Sequence, residues 1–173
     1  MSCCFYGCHR SGELVLKNAK DELDWRKIIK RGSLVFDSNH VTYRLPYHKT
    51  DRFYQGTDIL FSVQHVADPV LLLKSYVSRH DKIHGARAAL FIRKDGSLPN
   101  RMWFDTKFFA ILDRQYGGHS LRAGGATFYA SLGLSEDVIQ SLGRWSSKAW
   151  KIYIRDNHTI RAELQLTHLR SRH

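Results

Sequence analysis

The sequence predicts an α+β domain that is mostly helical and carries one small antiparallel sheet of three strands near residues 33–63. Two patterns carry this prediction. Alternation of apolar and polar residues, which is typical of a half-buried strand, is strongest in that region. Elsewhere, apolar residues recur at helical spacing between capping and stop signals. The chain has 173 residues, which is enough for a domain with its own core, so we expect a single domain over residues 1–173.

The chain is strongly basic. Lys and Arg together number 27 against 16 Asp and Glu, which gives a formal net charge of +11. This excess favours a polyanionic partner: DNA, RNA or an acidic membrane surface. No apolar run approaches the ~20 residues that span a bilayer, and residues 1–15 lack a basic leader. We therefore expect an intracellular protein.

Three cysteines, Cys3, Cys4 and Cys8, crowd one end of the chain and are followed by His9. Their odd number favours reduced thiols over a disulfide framework. Adjacent cysteines do not give the usual two-residue spacing of zinc ligands, so buried thiols are preferred to a zinc cluster. No group of Asp and Glu resembles a two-metal carboxylate site. The sequence thus predicts neither a metal nor a cofactor.

The first predicted element is the end of an apolar helix within residues 3–17, which leads to Arg10. Glu13 follows three residues later. A carboxylate at this spacing can hold an arginine still, so that its guanidinium fork can be aimed at a phosphate. The same spacing also fits an ordinary exposed ion pair.

The predicted sheet comes next. A polar connection over residues 48–56 joins its second strand to its third and contains Lys49 and Arg52. Asp68 then caps a helix, residues 89–92 form a buried apolar run, and an aromatic-rich helix around residues 103–112 is expected in the core. The three strands are expected at residues 33–36, 41–47 and 59–63.

The stretch over residues 117–157 carries the most informative motif. A helix beginning at Ser120 places His119 and Arg122 one turn apart, where both cations can converge on a phosphate. The same His-x-x-Arg spacing occurs twice more in the chain, so the elements that follow distinguish this match. They are a helix stop at Gly133, a helix over residues 136–143 with Val138, Ile139 and Leu142 buried, and a third helix capped by Ser146 or Ser147.

The segments HSLRAGGAT at 119–127 and LGRWSS at 142–147, followed by Tyr153, resemble the C-terminal catalytic region of tyrosine recombinases. They are most similar to the recombinases of eukaryotic mobile elements. The residues around Arg10 and Glu13 are similar to the family's first-arginine pattern. The resemblance implies a nuclear catalytic domain for DNA recombination or integration, acting on double-stranded DNA as a homo-oligomer.

The resemblance also implies a role for each residue. Tyr153 is the nucleophile that forms a 3′-phosphotyrosine link, and Arg10 and Arg122 hold the non-bridging oxygens of the phosphate. His119 assists the nucleophile. Lys49 protonates the leaving 5′ oxygen, or alternatively only touches a backbone phosphate or solvent.

A further position is ambiguous. The family places His or Trp nine residues before the tyrosine, where Arg144 stands here, while Trp145 lies one residue late. We prefer Trp145, whose indole N–H can donate to a phosphate oxygen, with a pure packing role as the alternative. Arg144 and Glu13 are then supporting residues, and Arg52 and Arg155 are expected to contact DNA.

Relatives carry a helical core-binding domain before the catalytic one, whereas Met1 lies only nine residues before Arg10. We therefore expect a truncated or remnant copy that binds DNA and recombines poorly alone. The alternative function is a non-catalytic DNA-binding protein derived from a recombinase. An RNA-binding protein ranks last, because the exposed aromatic strand of common RNA modules is not evident.

Overall fold

The architecture is mostly helical with one small sheet, as the sequence predicts. The computed structural model describes residues 1–17, 23–49, 51 and 53–155. In that part of the chain, 3₁₀ turns lie at Trp25–Lys27, Arg31–Ser33 and Lys148–Lys151. The helices are α1 Ser2–Tyr6, α2 Ser11–Leu14, α3 Pro69–His84, α4 Arg101–Phe109, α5 Ser120–Ser131, α6 Glu136–Gly143 and α7 Ile152–Arg155, and the strands are β1 Val35–Phe36, β2 His40–Leu45 and β3 Thr57–Ser62.

The sheet is antiparallel, with the strand order β1-β2-β3. Val41, Tyr43 and Leu45 alternate along β2 and are all 0% exposed, because they face the core on one side of the sheet. Leu73 and Val77 of α3 belong to the same core. The predicted alternation is thereby confirmed, and it fixes which side of β2 faces inward.

Helix α1 lies against both α3 and α5. The sequence prediction of an apolar helix leading to Arg10 is wrong in its extent. The helical region is interrupted after Tyr6, and Cys8 adopts a left-handed backbone conformation with φ 45, which cannot continue an α-helix. Arg10 therefore stands at the start of the separate helix α2.

Helix α6 begins and ends where the sequence predicts, but the prediction of its buried face is only partly right. Ile139 is 2% exposed, whereas Val138 and Leu142 are 45% and 36% exposed. Periodicity locates the apolar face of a helix, while the neighbouring elements decide how much of that face they cover. Of the three, only Ile139 belongs to the buried core around Trp150.

Helix α4 covers residues 101–109, slightly earlier than predicted. Its aromatic residues Phe104 and Phe108 are buried, as expected for a core stripe. Asp68 accepts a hydrogen bond from the backbone N–H of Val70 and so caps α3. No helix in the described part of the chain is long and apolar enough to cross a membrane.

Close packing of α5 on α1 depends on Gly125. A Cβ atom there would lie 2.1 Å from the carbonyl oxygen of Phe5, so Gly125→Ala is expected to lower the free energy of unfolding by about 1–3 kcal/mol. Gly12→Ala is the control, because a Cβ at Gly12 in α2 would meet no atom within 4 Å. Urea unfolding of both variants tests this; equal stability would contradict the close contact.

Candidate active site

Two arginines and a histidine converge on the carboxylate of Glu13. Its Oε1 accepts from Nη1 of Arg10 at 3.1 Å, and its Oε2 accepts from Nη2 of Arg144 at 3.0 Å. Nδ1 of His9 lies 2.9 Å from the same Oε2. Burial by itself raises the pKa of Glu13, but the hydrogen bond from His9 and the charges of Arg144 and Arg122 lower the pKa well below its ordinary value. Glu13 is therefore an ionised carboxylate.

Arg10 is held by both its backbone and its side chain. Its backbone N–H donates to Oε2 of Glu13 at 3.2 Å, in addition to the bond from Nη1. Its own conformation is extended, with φ −74 and ψ 137, so it precedes the first turn of α2. The side chain remains 26% exposed, which leaves part of the guanidinium accessible to a ligand.

Arg144 points into the protein. It follows α6 in a left-handed conformation, with φ 56 and ψ 43, and is 9% exposed. Its guanidinium donates to Glu13 and to three backbone carbonyls: Gly7 at 3.1 Å, Leu142 at 2.9 Å and Cys8 at 3.2 Å. Arg144 thus ties the end of α6 to the segment between α1 and α2.

Arg122 lies in the first turn of α5 and is 1% exposed. Its two terminal nitrogens donate to the carbonyls of Cys8 and Gly143. The indole ring of Trp145 covers the guanidinium, whose Cζ lies 4.3 Å from the ring centre, a cation–π contact. Burial and the nearby charge of Arg10 lower the pKa of Arg122 to about 10, so it remains charged at neutral pH.

Trp145 also faces Tyr153, with the ring centres 6.3 Å apart. The indole folds back over Gly143, where a Cβ would lie 1.5 Å from Cζ3 of Trp145. Tyr153 is half-buried on α7, and its carbonyl accepts from the hydroxyl of Thr127 on α5 at 3.2 Å. Its own hydroxyl has no hydrogen-bond partner within the described residues.

The structure therefore links six predicted site residues by direct contacts or through the shared carbonyl of Cys8. Lys49 is exposed in the connection between β2 and β3, and His119 is exposed immediately before α5. Within the described residues, no hydrogen bond, ion pair or ring contact joins either side chain to the linked cluster. Arg52 and the side chain of Arg155 lie outside the described part of the chain. The six linked residues are Arg10, Glu13, Arg122, Arg144, Trp145 and Tyr153.

A shallow cavity of ≈ 500 Å³ lies beside this cluster. Its lining includes Arg144, Trp145, Gln140 and His48. Partial burial and the charge of Arg144 lower the pKa of His48. A larger open cleft of ≈ 700 Å³ lies along α4, and none of the six linked residues lines it. A third cavity of ≈ 530 Å³ is lined by Glu13 but by no other linked residue, so the cavity at Arg144 and Trp145 is, of these three, the one with most contact to the cluster.

Sequence reasoning missed two residues beneath the site. His9 is 1% exposed and Tyr43 is 0% exposed, and Nε2 of His9 lies 2.8 Å from the hydroxyl of Tyr43. Burial lowers the pKa of His9 to about 4, although the hydrogen bond with Glu13 acts in the opposite direction. The four-residue spacing of His9 and Glu13 and the inward position of Tyr43 on β2 were the available signals.

The three cysteines are free thiols. Burial raises the pKa of Cys4 and of Cys8 to about 11, so both are protonated at neutral pH. Among the described residues, no group of three or more His, Cys, Asp or Glu side chains could hold a metal ion. Cys4 and Cys8 lie in the core.

No model of a protein family matches this sequence, and no curated protein sequence matches it. Solved structures do match. The XerA recombinase superposes with a TM-score of 0.68 at 20% identity, over 96% of this chain and 54% of that chain. The post-cleavage complex of the XerH site-specific recombinase with its difH substrate gives 0.62 at 16% identity, over 95% of this chain and 43% of that one.

The integrase of the transposon Tn1549, in complex with transposon right end DNA, gives a TM-score of 0.55 at 15% identity. That match covers 97% of this chain and 57% of the integrase chain. This chain thus spans about half the length of the recombinases that it matches. The fold is that of a tyrosine recombinase catalytic domain, which confirms the predicted fold class. An origin in a eukaryotic mobile element stays a prediction.

Proposed function

We propose that this chain is the catalytic part of a tyrosine recombinase that cleaves and rejoins double-stranded DNA during site-specific recombination or integration. One observation carries the proposal. The guanidinium groups of Arg10, Arg122 and Arg144 surround the single carboxylate of Glu13. Among the described residues, these three positive charges less the one negative charge leave a local surplus of two, and a largely buried surplus of positive charge favours an anion at this place.

The chemistry follows from the reactivity of a phenol. Its reference pKa of ~10 makes it a poor nucleophile at pH 7 unless a base or positive charge assists it. In the proposed step, the Tyr153 oxygen bonds to phosphorus, its proton passes to His119, and the bond to the 5′ oxygen breaks. Lys49 protonates that leaving oxygen, while Arg10 and Arg122 stabilise the charge on the non-bridging oxygens. A 5′ hydroxyl of a second strand reverses the step.

The exposure of Arg10 and of Arg122 indicates the order in which they contact the phosphate. Arg10, with a 26% exposed side chain, meets the phosphate first. Arg122 is 1% exposed and covered by Trp145, so a direct contact requires the indole to move off the guanidinium. The two recombinase structures in complex with DNA support double-stranded DNA as the ligand, and we propose that the chain acts on it as a homo-oligomer.

The burial of Arg122 beneath Trp145 favours a second candidate function. In this alternative, the chain is a non-catalytic DNA-binding protein derived from a recombinase, and Arg122 serves as a structural cation that holds α5 to the carbonyls of Cys8 and Gly143. The net charge of +11 supports affinity for DNA in both cases. The two candidates differ only in whether a covalent bond to DNA forms.

A covalent-adduct assay separates the two candidates. Duplex DNA carrying a nick beside the cleavage position is expected to trap the wild-type protein, because the short strand that carries the freed 5′ hydroxyl diffuses away and cannot reverse the step. Tyr153→Phe is expected to form no adduct on denaturing gels. Tyr116→Phe, which alters an exposed phenol three residues before His119, is expected to form as much adduct as wild type. An adduct with Tyr153→Phe would refute the assignment of the nucleophile. If the wild-type protein forms no adduct with any nicked duplex, the non-catalytic candidate is favoured.

A further inference from the structure

A buried hydrogen-bonded array connects the sheet to the candidate site. It begins at the hydroxyl of Tyr43 on β2, which lies 2.8 Å from Nε2 of His9. Nδ1 of His9 lies 2.9 Å from Oε2 of Glu13, and Oε1 of Glu13 accepts from Arg10. The side chain of His9 is 0% exposed and that of Glu13 is 6% exposed. Water therefore has little access to the array.

The partners fix the direction of each hydrogen bond. An ionised carboxylate only accepts hydrogen bonds, so Nδ1 of His9 carries the proton and donates to Glu13. In a neutral imidazole, Nε2 then has a lone pair and accepts from the hydroxyl of Tyr43. The orientation of the imidazole ring is therefore set at both ends.

This arrangement restricts how Glu13 can turn. Its Oε2 is held by His9, by Nη2 of Arg144 at 3.0 Å and by the backbone N–H of Arg10 at 3.2 Å. Its Oε1 faces only the Arg10 guanidinium, among the hydrogen bonds of the described residues. If the bond from His9 is lost, Oε2 keeps two of its three donors, and the restraint that keeps Oε1 turned towards Arg10 is weakened.

We propose that His9 and Tyr43 are positioning residues for Arg10 in the reaction proposed above, on which this inference rests. His9 keeps the carboxylate of Glu13 turned towards Arg10. Tyr43 fixes the imidazole to β2, the strand that leads into the connection carrying Lys49. The array thereby sets the position of the Arg10 guanidinium relative to the sheet.

Tyr43→Phe tests the array with little change of shape. We expect the rate of adduct formation on the nicked duplex to fall roughly tenfold to a hundredfold, because small misplacements of catalytic groups are costly. The Kd for the same duplex is expected to stay within about twofold, since the loss falls on the transition state. The matched control is Tyr76→Phe, which removes a phenol hydroxyl bonded to the backbone of Ile92, outside the site, and is expected to keep the wild-type rate.

A second pair of variants tests His9 itself. The amide of His9→Asn can still donate to Glu13, whereas the side chain of His9→Leu cannot. At equal folded fraction, His9→Asn is therefore expected to form adduct at least about tenfold faster than His9→Leu. Equal rates for these two variants would overturn the proposal. Equal rates for Tyr43→Phe and Tyr76→Phe would overturn it as well.

The tautomer of His9 can be determined without an activity assay. Nitrogen-15 NMR of the wild-type imidazole at pH 7 is expected to place the proton on Nδ1, and a proton on Nε2 would overturn the array. If wild type forms no adduct, the proposed function fails and the positioning role fails with it. If wild type forms an adduct and Tyr43→Phe does so equally fast, only the positioning role fails.

Discussion

Glu13→Gln is expected to lower the free energy of unfolding at pH 7 by about 3–5 kcal/mol, because it leaves buried positive charge without its partner. The variant keeps the shape of the side chain and removes the charge. Arg144 depends on that charge most, since its side chain is 5% exposed and Glu13 is its salt-bridge partner. Urea unfolding, followed by tryptophan fluorescence, measures the change.

The control for this variant is Glu136→Gln. Glu136 is 54% exposed and pairs with Lys151 on the surface, so its loss is expected to change stability by less than about 1 kcal/mol. A similar loss of stability in both variants would mean that the carboxylate of Glu13 has no special role in balancing the buried arginines.

The dependence of stability on pH provides a second readout of Glu13→Gln. The folded pKa of Glu13 lies far below its ordinary value of 4.5, so its stabilisation is complete above pH 4.5 and is lost progressively below it. His9, with its pKa lowered by burial from 6.5 to about 4, is protonated first in the unfolded state. The contribution of neutral His9 to the free energy of unfolding is complete above pH 6.5 and is lost between pH 6.5 and 4. Glu13→Gln is expected to flatten the decline below pH 4.5, and an unchanged decline would contradict the assignment.

Arg122→Lys is expected to lower the rate of adduct formation by about 10²- to 10³-fold. Lysine keeps the positive charge, but its single ammonium cannot donate to the carbonyls of Cys8 and Gly143 in the geometry of a guanidinium fork. A carbonyl left without its donor costs about 1–3 kcal/mol of stability. The flat contact with the Trp145 ring is also lost.

The same adduct and unfolding assays measure Arg122→Lys. Arg114→Lys is its control, because Arg114 also lies over an aromatic ring, at 5.9 Å from the centre of Phe109, but is exposed. The control is expected to behave as wild type in both assays. Adduct formation by Arg122→Lys at the wild-type rate would show that the guanidinium of Arg122 does not act on the phosphate.

The fold was predictable where the signals are local. Alternation located β2, and the cap at Asp68 and the stop at Gly133 bounded two helices, since these patterns depend only on neighbours in the chain. The separation of Arg10 and Glu13 by three residues likewise predicted their ion pair, which is confirmed. By contrast, the burial of α6 depends on what packs against it, and there the prediction for Val138 was wrong.

The deeper part of the site could not be predicted, because its contacts join residues that are far apart in the sequence. Arg144 reaches Glu13 and Arg122 reaches the carbonyl of Cys8, each across more than a hundred residues. The left-handed conformation of Arg144 also has no signature in its sequence. In this conformation Arg144 points inward and pairs with Glu13, and the Trp145 ring contacts both Arg122 and Tyr153.

One carbonyl group, that of Cys8, accepts hydrogen bonds from both Arg122 and Arg144. Each arginine side chain carries about 2 kcal/mol of rotamer entropy when it is free. Because both are fixed to the same backbone atom before any ligand arrives, that entropy is lost when the chain folds. Arg10, the accessible member of the three, is already paired with Glu13, so an anion that binds beside them meets arginines that are largely ordered.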